Sequence, residues 1–327
     1  VAARRQDLDL DFFTRRIERA VKVREAAGVD LSLCRLVWSE SDGLPGVVVD
    51  RYGDFLVLQT LTLGMAQRQD MIVQALNDVL KPRGIIERNE GAVRLAEGME
   101  QVKGVVSGET PEPFVVRYQG SAFHADLLEG QKTGLYLDQL DNYQQVAKLA
   151  RGRRVLDCFC NQGGFAQAAA LAGASEVTAV DISESAVALA AKNAAIAGAK
   201  IDFVAENCFD FLKRQESADA RYDLIILDPP SFTKSKSTVK DALRGYKEIH
   251  LRAMKMLEPG GIFATFTCSH HVSAGEFHSS ILEAAVDAKK VLRRVCTFTQ
   301  RSDHPILATI PETEYLRGYA YEVVASW

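Results

Sequence analysis

The strongest constraint on this chain is a pattern that begins at Arg153. From there, short apolar runs alternate with helix-length segments almost to the end of the sequence. Segments 155–156, 177–180, 201–204, 224–227 and 262–266 read as buried strands; 164–171, 184–196, 209–214, 240–257 and 274–288 read as the helices that follow them. Two last strands fit 291–298 and 319–324. Strands joined through helices lie parallel, and a parallel sheet must be covered on both faces. The pattern therefore predicts a doubly wound α/β domain over 127–327, with a seven-stranded, mostly parallel sheet.

The first part of the chain reads differently. Residues 8–27 form an amphipathic helix, with Phe13, Ile17, Ala20 and Val21 at helical spacing and Gly28 as its stop. Strands are expected at 34–38, 47–49, 55–61 and 85–86, a helix at 65–80, and a hairpin of 114–118 with 122–125 around Gly120. The expected division is an N-terminal helix over 1–29, a small α+β domain over 30–126, and the α/β domain. A length of 327 residues suits two domains.

Hydrophobic residues at 47% and charged residues at 25% place the chain among soluble globular proteins. No stretch approaches the ~18 unbroken apolar residues of a membrane helix, and no apolar run follows Arg4 and Arg5 to make a secretory signal. A cytoplasmic protein without a membrane partner is expected. Val1 is not an initiator Met, which points to sequence upstream. The six cysteines are scattered, and Cys158-x-Cys160 is too closely spaced for the common zinc arrangement. Reduced thiols and no metal are expected. A net charge of −4 argues against a protein that coats nucleic acid by charge alone. The basic residues Arg15, Arg16, Arg19, Lys22 and Arg24 make either a local basic surface or a solvated helix face.

Chemistry gathers where the strands end, which is where ligands bind in this architecture. The first strand runs into Asp157-Cys158-Phe159-Cys160-Asn161-Gln162-Gly163-Gly164-Phe165. A glycine pair lets backbone approach a nucleoside closely, and Asp157 suits the cationic end of a methionine moiety. The dinucleotide pattern G-x-G-x-x-G is absent, which weakens a dehydrogenase reading. Asp181 ends the second strand, before Ile182 and Ser183, and suits ribose hydroxyls or a helix cap. Asn207, with Cys208 and Phe209, follows the third strand; it either reads an adenine edge or caps the next helix. The fourth strand ends in Asp228-Pro229-Pro230-Ser231-Phe232. Two prolines cannot continue a central strand, so they fix Asp228 at the sheet edge and place Phe232 to stack on a planar base. Cys268 ends the fifth strand beside them. A thiolate adding to carbon 6 of cytosine would make carbon 5 nucleophilic, and His270, His271 or a helix N-terminus could activate the thiol; a buried inert cysteine is the plain alternative.

These strings resemble the bacterial 23S rRNA cytosine-C5 methyltransferase I family, along nearly the whole chain. Ser39 to Gly46 with Asp50-Arg51-Tyr52-Gly53, Arg88 to Met99, Gly130 to Gln139, Arg244-Gly245-Tyr246-Lys247 and Asp303-His304-Pro305 all match family strings. The resemblance implies a Rossmann-like class I methyltransferase domain and S-adenosylmethionine (SAM) as cofactor. It implies rRNA as partner, and leaves a homodimer open. It implies cofactor contacts from Gln131, Lys132, Thr133, Tyr136, Asp138 and Asn193 besides the strand-end residues, substrate contacts from Phe232, Tyr246 and Lys247, and catalysis by Cys268 and Asp228. It also implies an N-terminal PUA domain, which is missing here. Leu140 and Tyr143 stand where the family has arginines, and Cys160-Asn161-Gln162 replaces Ser-Tyr-Thr. Methylation of a guanine nitrogen or an exocyclic amine is the alternative chemistry, since a sister family shares Asp-Pro-Pro but lacks the cysteine. A SAM-binding RNA or ribosome-assembly protein without turnover is the alternative class.

Overall fold

The computed structural model describes residues 6–130, 134–233 and 235–327. They form two compact units, neither contiguous in sequence. The first takes Val1–Val116, His124–Asp138 and Arg301–Glu314; the second takes Arg117–Phe123, Gln139–Gln300 and Tyr315–Trp327.

The first unit holds α1 (Leu10–Ala26), β1 (Leu33–Trp38), β2 (Val47–Tyr52), β3 (Phe55–Thr60), α2 (Leu63–Ala66), α3 (Gln69–Leu80), β4 (Gly84–Asn89), α4 (Ala92–Ala96) and β5 (Val102–Gly108). The strands make one sheet in the order β1-β2-β3-β4-β5, antiparallel except for β3 with β4. Asp9 starts α1 by accepting from Phe12 N at 2.8 Å. Its apolar face, Phe12, Phe13, Ile17 and Ala20, is buried in one core with Ile72 and Leu76 of α3 and Leu36, Val49 and Leu58 of the sheet. The N-terminal helix therefore shares the core of the α+β segment. The helix expected over 65–80 is split at Gln67 and Arg68. Strand β5, which sequence reading missed, is an edge strand with mostly exposed residues and Gly104 inside it, so it carries little apolar signal.

Arg301–Glu314 joins this unit through buried charge. Arg301 donates to Leu33 O at 2.8 Å and to Asp303 Oδ2 at 3.3 Å. Arg24 donates to Asp303 O at 2.8 Å and to Asp42 Oδ1 at 2.6 Å. Buried ions cost several kcal/mol each unless paired, and here each is paired.

The hairpin β6 (Phe114–Tyr118) and β7 (Ser121–Ala125) carries the chain between units. The second unit holds α5 (Leu140–Ala147), β8 (Arg154–Cys158), α6 (Gly164–Leu171), β9 (Glu176–Asp181), α7 (Glu184–Ala197), β10 (Asp202–Ala205), α8 (Cys208–Ser217), β11 (Tyr222–Leu227), α9 (Val239–Lys255), β12 (Leu257–Thr267), α10 (Ala274–Asp287), β13 (Lys290–Thr299) and β14 (Arg317–Ser326). The sheet order is β10-β9-β8-β11-β12-β14-β13. Strands β8 to β12 are parallel, and β14 runs antiparallel to both β12 and β13. This is the doubly wound sheet expected from the strand–helix alternation, in the Rossmann-like form that the resemblance implies. Ser183 caps α7 and Gly198 ends it at φ 72°, while Ser273 and Glu276 form a capping box on α10. Among the described residues, no helix is long and apolar enough to cross a membrane, and no group of three or more His, Cys, Asp or Glu could hold a metal ion.

Candidate active site

The sheet order reverses between β8 and β11, so connections leave these two strands in opposite directions and open a crevice at their carboxyl ends. Cys158 pairs with Leu227 across this point, and Asp228 N donates to Cys158 O at 3.4 Å. Asp157, Asp181, Asn207, Asp228 and Cys268 thus lie at the carboxyl ends of five neighbouring strands.

The turn after β8 is held at several points. Phe159 (φ 64°), Asn161 (φ 46°) and Gly163 (φ 79°) are left-handed, a conformation that costs the two non-glycine residues energy unless their surroundings enforce it. The surroundings do so. Cys160 N donates to Val180 O at 3.0 Å, Asn161 N to Asp181 Oδ2 at 2.9 Å, and Phe159 N to Cys208 Sγ at 3.2 Å. Asn193 is fully buried on α7 and donates to Gln162 O at 3.4 Å, so its described contact is with the turn itself. Packing also requires a glycine at Gly164: a Cβ there would lie 2.3 Å from the ring of Tyr143. Tyr143, 9% exposed, packs edge-on against Phe165 with centroids 4.7 Å apart. Leu140 and Tyr143, which replace arginines of the resembled family, are core residues of α5.

Asp157 is fully buried. Its Oδ2 accepts from Ala166 N at 3.0 Å, and its Oδ1 has no hydrogen-bond partner among the described residues. Burial first, then the charges of Asp228 and Asp181, push its carboxyl well above the usual range. A buried acid with an orphaned oxygen fits a cationic ammonium group. Asp181 is different: Oδ2 takes Asn161 N and Oδ1 takes Ser183 N, both at 2.9 Å. Its two oxygens are fixed by backbone and can accept further bonds from a vicinal diol. Ile182, beside it, is 67% exposed. Ser183 caps α7. Asn207 is exposed and caps α8, its Oδ1 accepting from Phe209 N at 2.9 Å. Cys208 is buried, its sulfur on Val180 O at 3.6 Å.

Asp228 Oδ2 accepts from Gln139 Nε2 at 2.9 Å. Pro229 is buried and Pro230 exposed. Cys268, half-buried, stands just past β12. The next residue ties the two loops together: Ser231 Oγ lies 3.2 Å from Ser269 Oγ, and Ser269 N donates to Thr267 Oγ1 at 3.2 Å. Burial drives the thiols of Cys158 and Cys160 well above the ordinary range and that of Cys34 up to about 12, which leaves them unreactive. The residues expected to contact substrate have these surroundings. Tyr246 has no exposed surface, and its hydroxyl sits 2.8 Å from Thr267 Oγ1 inside the core. Phe232 packs on Tyr246, centroids 4.7 Å apart, and near Phe209 and Phe159. Lys247 forms ion pairs with Glu283 at 3.3 Å and Asp287 at 3.0 Å on α10. Tyr136 and Asp138 belong to the first unit, where Asp138 O accepts from Arg301 N at 3.0 Å. Gln131, Lys132 and Thr133 lie outside the described residues. Sequence reading assigned no role to Gln139, Asn142 or Ser269. Gln139 ends a matched string and Asn142 and Ser269 lie outside those strings, and nothing in the sequence marks any of the three as buried.

A family model of S-adenosylmethionine-dependent methyltransferases matches residues 99–305. A protein of Erwinia tasmaniensis named ribosomal RNA large subunit methyltransferase I is 39% identical over 325 residues, covering 98% of this chain and 82% of its own. One of the same name from Aeromonas hydrophila is 41% identical over 320 residues, covering 96% and 81%. Among solved structures, a protein of Streptococcus mutans described as a SAM-dependent methyltransferase has a TM-score of 0.85 at 23% identity, covering 99% of this chain and 84% of that one, and shares the fold. These relatives correct the resemblance drawn from the motifs. They bear the name of a large-subunit rRNA methyltransferase without naming a base or a carbon, and a match over nearly the whole chain gives no ground for defining it by a missing PUA domain.

Proposed function

Because the chain belongs to the ribosomal RNA large subunit methyltransferase I family of SAM-dependent methyltransferases, we propose that it methylates carbon 5 of a cytosine in large-subunit (23S) rRNA through a transient bond between Cys268 and the base. The observation that carries this reading is the place of Cys268: half-buried at the carboxyl end of β12, next to a serine hydrogen-bonded to the Asp228-Pro229-Pro230 loop. When bound, SAM supplies an electrophilic methyl group; Asp157 would hold its ammonium group and Asp181 its ribose. The ring carbon of cytosine has no lone pair to offer. Addition of the Cys268 thiolate to carbon 6 opens the 5,6 double bond and moves its electron pair to carbon 5, which can then be methylated. Loss of the carbon 5 proton re-forms the double bond and expels the thiolate. Asp228 holds the base at its ring nitrogen 3 or amino group, once the base has left its stack. The proposed place of action is the cytoplasm, where thiols stay reduced.

The test is a large-subunit rRNA transcript made with 5-fluorocytidine in place of cytidine. Fluorine cannot leave as the proton does, so the wild-type protein becomes trapped in a denaturant-stable adduct that requires SAM. Cys268→Ala gives no adduct. Normal methylation by Cys268→Ala would overturn the reading in favour of a guanine-nitrogen or exocyclic-amine target, where no covalent link is needed.

A further inference from the structure

A buried chain of side-chain amides ends on Asp228. Asn142, 1% exposed, donates from Nδ2 to Thr299 O at 3.0 Å and to Gln139 Oε1 at 2.7 Å. Gln139, 3% exposed, donates from Nε2 to Asp228 Oδ2 at 2.9 Å. The chain has a direction. Thr299 O can only accept, so Asn142 turns its amino group inward, and that donor fixes the oxygen of Gln139. Gln139 is left with its amino group towards Asp228, a donor matched to an ionised carboxylate. The four residues come from three distant parts of the sequence: the start of α5, the loop after β11 and the end of β13.

We propose that Gln139 is a positioning residue for the methyl-transfer site, setting both the rotation and the ionisation of Asp228. This rests on the reading that Asp228 holds the base. Held at Oδ2, the carboxylate cannot swing about its Cα–Cβ bond without breaking a hydrogen bond to a charged acceptor, one of the stronger kinds. The donor also stabilises the charged form. Among the described residues, Asp157 on β8 and Tyr246 on α9 interact electrostatically with Asp228, and Asp157 acts on it as a like charge when both are ionised. Gln139 counters that repulsion with a neutral donor.

Two substitutions separate this role from a purely structural one. Gln139→Glu keeps the shape and the contact with Asn142 but sets a second carboxyl against Asp228, so the pair shares a proton and its apparent pKa rises by about a unit or more. Gln139→Leu removes the donor. The measurements are carboxyl carbon-13 titration of Asp228, assigned by the signal missing from Asp228→Asn, and single-turnover methylation of an unmodified large-subunit rRNA transcript across pH. Expected are an upward-shifted Asp228 titration in Gln139→Glu with the acid limb of the rate moving alongside it. Gln139→Leu should lose about tenfold to a hundredfold in rate, with S-adenosylhomocysteine affinity held within about twofold, since the bond lost is one to the base-holding residue. An unshifted Asp228 titration in Gln139→Glu overturns the proposal. So does an equal loss of rate and cofactor affinity at every pH, which marks a structural role. Asp228→Asn methylating at the wild-type rate overturns the role of Asp228 itself; Asp228→Asn inactive with Gln139 variants unaffected overturns only that of Gln139.

Discussion

Asp181 shows how one carboxylate can serve local structure and, as proposed, a ligand together. Each oxygen accepts one backbone N–H, from Asn161 and Ser183, so the group joins the turn after β8 to the start of α7 before any ligand arrives. A carboxylate oxygen has lone pairs for more than one donor, and a fixed one spends no rotamer entropy on binding. Replacing it with alanine removes both the proposed acceptor for the ribose and the clamp on the turn. Asp181→Ala should weaken S-adenosylhomocysteine binding, read by calorimetry, by about 1.5–3 kcal/mol. Unchanged affinity would remove Asp181 from the site. Asp157 works by a different route. It is an acid isolated from water with one oxygen unpartnered among the described residues, a cost that the proposed ammonium group would offset.

At the scale of elements, α5 and α6 pack closely where the ring of Tyr143 meets Gly164. The ring of Tyr143 lies where a side chain on Gly164 would be, and Phe165 closes the other side. Gly164 is therefore a packing glycine at the start of a helix whose N-terminus faces the crevice. Gly164→Ala drives a methyl group into an aromatic ring and should destabilise the protein by about 1–3 kcal/mol, as overpacking does. In Tyr143→Ala the added methyl group has room, so a double-mutant cycle by denaturant unfolding should give a double variant less unstable than the sum of the two single ones. Strict additivity would show that the methyl group and the ring do not meet. Gln139 is the residue just before α5 and Asn142 lies in the helix's first turn, so the packing of α5 against α6 also sets the geometry of the amide chain to Asp228.

At the scale of the whole molecule, the second unit carries a buried histidine in its core. His250 on α9 reaches Thr265 Oγ1 at 3.0 Å on β12, among Tyr246, Phe263 and Phe277. Burial lowers its pKa from 6.5 to about 3. The unfolded chain takes up the proton near pH 6.5 and the native state resists it. Its contribution is fully present above pH 6.5 and is lost as pH falls towards 3, by about 1.4 kcal/mol per unit. Asp157, with a raised pKa, has the opposite sign, so the useful quantity is a difference: His250→Gln should lose less stability than the wild type between pH 6.5 and 4. Parallel curves would show that His250 is not the group involved. The sequence by itself determined the doubly wound sheet, because a period of two and a period of 3.6 are local properties of the chain. It also determined which strand ends bear carboxylates, prolines and a cysteine, because strand polarity sends those residues to one edge. Tertiary structure alone decided that Tyr246 is buried, that Gly164 makes room for Tyr143, that Arg301–Glu314 returns to the first unit, and that Gln139 meets Asp228. Each of these depends on residues distant in sequence becoming neighbours, and nothing in the local spacing of a chain encodes which distant atom fills a given space.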